Sequence, residues 1–150
     1  MVWLLAATSA PSCDEGTTDR GRLADIVGPS FAGVDRPRRG GLTHVLVARP
    51  VTPAIREGVA SVLDCHHRVV EVDYSHADLE RFMHDAGGLL EVDADPGFHM
   101  VGVDEATNQI VASASTETFP ADARRRILAR VPSDAVRFEV GVEAQTTGPR

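Results

Sequence analysis

The stretch VGVDEATNQIVASAS, Val101–Ser115, sets a polar island, DEATNQ, between two alternating apolar runs. Strict alternation suits a strand with one face on a core, and Asp and Asn favour turns through side-chain to backbone hydrogen bonds. The segment therefore reads as a hairpin of Phe98–Val103 and Ile110–Ala114. The same order of elements occurs earlier in the chain. Phe31 opens a short apolar segment, Pro37, Gly40 and Gly41 supply turn residues, and Thr43–Ala48 forms a second strand.

Each hairpin is followed by a proline-started helix. Thr52 is placed to cap a helix with Pro53 in its first turn and with Ile55, Val59, Val62 and Leu63 at helical spacing. Phe119-Pro120 opens the counterpart, in which Ala123, Ile127, Leu128 and Val131 share a face. Strands rich in β-branched residues close both copies, at His67–Tyr74 and Ala135–Val142. Phe31 and Phe98, Pro53 and Pro120, and Glu71-Val72 and Glu139-Val140 are offset by 67, 67 and 68 positions. A near-constant offset with matching element order indicates duplication of a ββαβ unit and hence an α+β fold with helices on one face of each sheet.

Between the copies, YSHADLERFMHDAGG reads as a connecting helix over 75–87. Ser75 and Asp78 have the spacing of a capping box, Leu79, Phe82 and Met83 form the apolar stripe, and Gly87-Gly88 are the expected stop. The domain organisation follows: 1–30 as leader-like segment and linker, 31–142 as the two-repeat domain (31–73 and 98–142), and 143–150 as a polar tail. Phe31, Ile55, Val59, Leu79, Phe82, Phe98, Ile110, Ile127, Leu128 and Phe138 are the expected core.

With 150 residues, 43% apolar and 25% charged, the chain has ordinary globular composition. All 15 basic residues are arginine, and the formal charge of −7 disfavours a general nucleic-acid binder. The two basic clusters, Arg36–Arg39 and Arg124–Arg126, read as solvated faces. MVWLLAATSAPSC has the apolar run and small residues of a signal peptide without its charged n-region, and Ala10-Pro11-Ser12-Cys13 loosely follows a lipoprotein cleavage site. Secreted, envelope-anchored and cytoplasmic readings all stay open. No run approaches the roughly 20 apolar residues of a membrane span. Cys13 and Cys65 could pair in an exported protein, but Cys65, following an apolar helical pattern, is expected as a free buried thiol.

The chemistry-bearing residues do not converge in sequence. Cys65, His66 and His67 are the densest group of metal-ligand types and define a zinc alternative, with His44, His76 and His84 as further donors. Adjacent histidines at a helix end diverge, so the structural reading is preferred and no metal or cofactor is assigned. Asp93 and Asp95 open like a calcium loop that lacks its later ligands. Ser75 beside His76 and Cys65 beside His66 are sequence neighbours, whereas catalytic pairs come from separate elements. Asp104 and Asn108 read as turn residues, and no catalytic residue is expected.

Tyr74, Ser75, Leu79 and Glu80, followed by Gly102, Val103, Asp104, Asn108, Ile110 and Val111, resemble a module of secreted actinobacterial proteins. The hairpin is similar to that in the pro-regions of the alpha-lytic protease and streptogrisin group of serine proteases. The resemblance implies a non-catalytic binding module that assists folding of a serine peptidase or inhibits it. It also implies that this end of the domain approaches the partner, so the last strand, through the alternating Val136, Phe138, Val140 and Val142, and the tail 143–150 are the expected contact. A purely structural or assembly domain is the remaining alternative.

Overall fold

The computed structural model describes residues 20–36, 42–92 and 97–141, and of 89–92 the backbone alone. Two three-stranded sheets carry the fold. The first consists of β1 (Phe31–Asp35), β2 (Thr43–Ala48) and β3 (His67–Val72); the second of β4 (Phe98–Asp104), β5 (Gln109–Ala114) and β6 (Val136–Glu139). In each, the hairpin strands are antiparallel and the third joins the middle strand in parallel across a helix, α2 (Pro53–Val62) or α4 (Ala121–Leu128).

The duplication extends to register. Phe31 faces Val47 and Gly33 faces Leu46 across a bulge; Phe98 faces Ala114 and Met100 faces Ser113 across the same bulge. Both pairs are displaced by 67 positions. In the parallel pairing, Thr43 faces His67 and Ile110 faces Val136, so the third strands are displaced by 69. The helices lie between these values: Pro53 is the first residue of α2, while Pro120 is the N-cap of α4. Val59 therefore corresponds to Ile127, both fully buried, at 68. Matching Glu71-Val72 to Glu139-Val140 is one residue out of register, and a one-residue slip exchanges the two faces of a strand.

The repeated unit also includes the helix that precedes each hairpin. Residues read as linker hold α1 (Arg20–Val27), which buries Leu23 and Val27 beside Phe31, Val45, Val47 and Val59. Its apolar residues are four apart, one turn of helix, a signal too short to stand out by periodicity. Likewise α3 (His76–Val92) packs on the second sheet, placing Leu79, Phe82 and Ala86 against Phe98, Ile110 and Ile127. It is therefore the first element of an αββαβ unit as well as a connection. Gly87-Gly88 do not end it. A glycine costs about 1 kcal/mol in a helix, and the Leu89-Leu90-Glu91 that follow are good helix formers.

The capping box forms as the sequence indicates: Asp78 N–H donates to Ser75 Oγ at 3.2 Å and Ser75 N–H to Asp78 Oδ2 at 3.3 Å. Thr52 Oγ1 accepts from Ile55 N–H at 3.3 Å, capping α2. Of the expected core, Leu128 is misplaced, being 39% exposed. On α4 the inward positions are Ala123 and Ile127, continued by Val131 at four-residue spacing, and Leu128 lies one step round the helix. Ile55 and Phe138 are partly buried against the cores. The turn residues Pro37, Gly40 and Gly41 lie outside the described residues.

Candidate functional site

The final strand was expected to run from Ala135 to Val142; it spans Val136–Glu139. Gly141, with φ +70°, turns the chain, and its N–H donates to Thr116 O at 3.1 Å. Val136 is a core residue, 6% exposed, and cannot present its side chain to a partner. Phe138 packs edge-on against Phe119 at 4.7 Å between ring centroids, and the Arg124 guanidinium lies 4.9 Å from its ring centre. Val140, beyond the strand, is exposed, and Val142 lies outside the described residues. Of the three that are described, Val140 alone therefore offers a largely free side chain. The other face of β6 is held by Arg137, which pairs with Asp104 at 3.0 Å and Glu139 at 3.1 Å.

What β6 does offer is main chain. It is the end strand of its sheet, with β5 as its strand neighbour among the described residues. Ile110 N–H donates to Ala135 O at 2.8 Å. Because alternate residues of a parallel strand bond the same neighbour, the N–H and C=O of Val136 and Phe138 face the opposite, open side. The β1 and β4 edges carry bulges, which blunt strand addition. On β1, moreover, Val34 N–H donates to Glu105 Oε2 at 3.3 Å. The end of β3 runs straight into the joint between the units.

That joint is made by the DEATNQ turn quoted at the outset, and its role was missed in the sequence. Asn108, in the left-handed region at φ 54°, accepts at Oδ1 from Asp73 N–H (3.1 Å) and Tyr74 N–H (2.9 Å). Its Nδ2 donates to Tyr74 O at 2.8 Å. Glu105 reaches back to the first unit, pairing with Arg20 and lying 3.2 Å from His76 Nδ1. Burial raises the Glu105 carboxyl pKa, but the Arg20 hydrogen bond and charge, the Val34 N–H and His76 outweigh it, and the net shift is downward. Gly33 leaves room for this carboxylate, which occupies the space a Cβ there would take. Tyr74 completes the joint: its hydroxyl donates to Asp134 Oδ1 at 2.9 Å, and burial followed by that bond pushes its pKa up to about 12.

No family model matches the chain, and no curated protein matches it.

The zinc alternative loses its central ligand. Cys65 is disulfide-bonded, which corrects the free-thiol expectation, and a disulfide sulfur is not a thiolate donor. His67 Nδ1 lies 2.8 Å from Cys65 O. His44 sits 3.5 Å from Asp35, and His76 3.3 Å from Glu80. Among the described residues no group of three or more metal-ligand side chains is assembled. Asp93 and Asp95 lie outside the described residues. Ser75 Oγ donates to Asp78 Oδ2 at 2.8 Å, so its hydroxyl serves the cap. Arg124 and Arg125 of the basic cluster are occupied locally, by the Phe138 ring and by Asp122 at 2.9 Å.

Proposed function

We propose that the chain is a non-catalytic, exported protein-binding module that takes a partner strand onto the open edge of β6, with a secreted serine peptidase as the leading partner. The carrying observation is that β6 turns the N–H and C=O of Val136 and Phe138 outward while its side chains are anchored in the core. In strand addition the main chain supplies affinity, and a strand fixed by its own packing costs little ordering. Export is supported by the disulfide at Cys65, since such bonds persist in oxidising compartments. Among the described residues no helix is long and apolar enough to cross a membrane. Inhibition or folding assistance of the peptidase is the action implied by the resemblance to protease pro-regions.

The test is binding and inhibition of secreted chymotrypsin-like peptidases by the full chain, by a chain ending at Gly141, and by Val140→Pro. Proline there removes a donor and stiffens the exit of the edge without entering the core. The proposal expects peptidase binding by the full chain, weakened by Val140→Pro at unchanged thermal stability. Equal behaviour of all three, or no peptidase binding by any, defeats it.

A further inference from the structure

The pairing of β6 with β5 runs without a register shift, whereas β1 and β4 both carry bulges. Its outward main-chain groups belong to Val136 and Phe138, and Val140 continues the alternation. On the face turned away from the core, Arg137 and Glu139 stand two residues apart, 3.1 Å from each other, with side chains 40% and 41% exposed. We propose that this edge pairs with the same edge of a second copy of the chain, antiparallel about a two-fold axis at Phe138, so that the second sheets of two copies become one continuous sheet.

Charge selects the register. Edge-to-edge pairing must set outward-facing residues opposite outward-facing ones, which permits centring the axis on Arg137, Phe138 or Glu139. Centred on Arg137, two arginines lie directly opposite; centred on Glu139, two glutamates do. Like charges in that position are destabilising. Centred on Phe138, Arg137 lies opposite Glu139 of the second copy, and Glu139 opposite its Arg137. These are the non-hydrogen-bonded positions, where facing side chains approach most closely, and the four charges alternate in sign. The same register sets Phe138 against its own counterpart and Val136 against Val140, covering a valine that is 46% exposed in the single chain.

The first unit lacks this complementarity. The displacement of 69 that relates the third strands places Arg68 at Arg137 but Val70 at Glu139. An arginine on β3 would therefore face valine, and the residue after that strand, Asp73, is already bonded to Asn108. Charges on a strand edge ordinarily keep copies apart. At β6 the opposite signs, two residues apart, admit one partner in one register. Because each copy uses the same edge, the contact closes at two.

So few paired residues bury well under the roughly 1,200 Å² of a stable interface, so the dimer forms at high concentration and the dilute chain is a monomer with its β6 edge open. The pairing needs the open edge alone. It stands if no peptidase binds, and where one does the two compete for β6.

The full chain is followed by sedimentation equilibrium from about 1 µM to about 1 mM, with circular dichroism checking the fold of each variant. Wild type should pass from monomer to dimer, and amide exchange at Val136 and Phe138 should slow as the dimer forms. Glu139→Arg sets arginines opposite arginines. Arg137→Glu/Asp104→Asn sets glutamates opposite glutamates, the asparagine sparing the new carboxylate a like charge on β4. Each should weaken self-association by about tenfold or more. An equimolar mixture of the two should restore it, since in the mixed pair every charge meets its opposite. A wild type that stays monomeric throughout, a dimer that neither variant weakens, a mixture no better than its components, or growth beyond two copies overturns the proposal.

Discussion

Replacing Asn108 by alanine removes three hydrogen bonds at once, at a residue already held in the left-handed region at φ 54°. A typical hydrogen bond contributes about 1 kcal/mol net, and the bond to Asp73 N–H is exposed, so the three together contribute about 2 kcal/mol. The left-handed conformation costs a non-glycine residue about 1 kcal/mol more than glycine. Asparagine and alanine both meet that cost, because the Asn108 side chain is committed to Asp73 and Tyr74, and glycine is relieved of it. Asn108→Ala should therefore destabilise by about 2 kcal/mol and Asn108→Gly by about 1 kcal/mol, the glycine losing the bonds but easing the left-handed conformation. Urea unfolding followed by far-UV circular dichroism measures both. Because the bonds join the end of β3 to the second hairpin, the alanine variant should also unfold over a broader range as the units uncouple. Losses below about 0.5 kcal/mol in both variants would show that the turn does not hold the units together.

The Glu105 carboxyl, lowered on folding, contributes stability that is present above its unfolded pKa and lost as pH falls through the folded value. Wild type should lose stability below about pH 4.5 more steeply than Glu105→Gln, checked by thermal melts from pH 7 to 3; parallel curves would dismiss the Arg20–Glu105 link. Tyr74 is the sole tyrosine, so absorbance titration should give a midpoint at about 12, falling in Asp134→Ala; a wild-type midpoint near 10 would mean the hydroxyl is not held by Asp134. Ile127→Ala should cost about 2–5 kcal/mol and its neighbour Leu128→Ala less than about 1 kcal/mol, and equal costs would misplace the buried face of α4.

The sequence carried the order of elements because hairpin alternation, Thr52-Pro53 and the Ser75–Asp78 box are local signals whose partners lie within a few residues. It could not carry the register. Identity matching placed Pro53 on Pro120 and Glu71 on Glu139, while the structure shifts the helix by one residue and the third strand by one more. Such drift is fixed by packing between Val59, or Ile127, and its sheet, which a pattern of letters does not record. Leu128 failed for the same reason, since Ile127, Leu128 and Val131 fit two overlapping helical stripes and burial selects one. Asn108 and Glu105 were legible as turn residues; that the turn grips Tyr74, Arg20 and Val34 depends on how one unit meets the other. For β6, alternation correctly set Val136 and Phe138 on one face, but that face is the core, and the side offered to a partner is the backbone edge.

The most direct measurement of the proposed role is amide hydrogen exchange at Val136 and Phe138, with and without a secreted serine peptidase. In the free chain both amides face the open edge and should exchange faster than Arg137 and Glu139, whose amides bond β5. Strand addition should slow Val136 and Phe138 selectively on binding. Protection confined to other elements, or unchanged exchange at both amides in a formed complex, would contradict the β6 edge as the binding site.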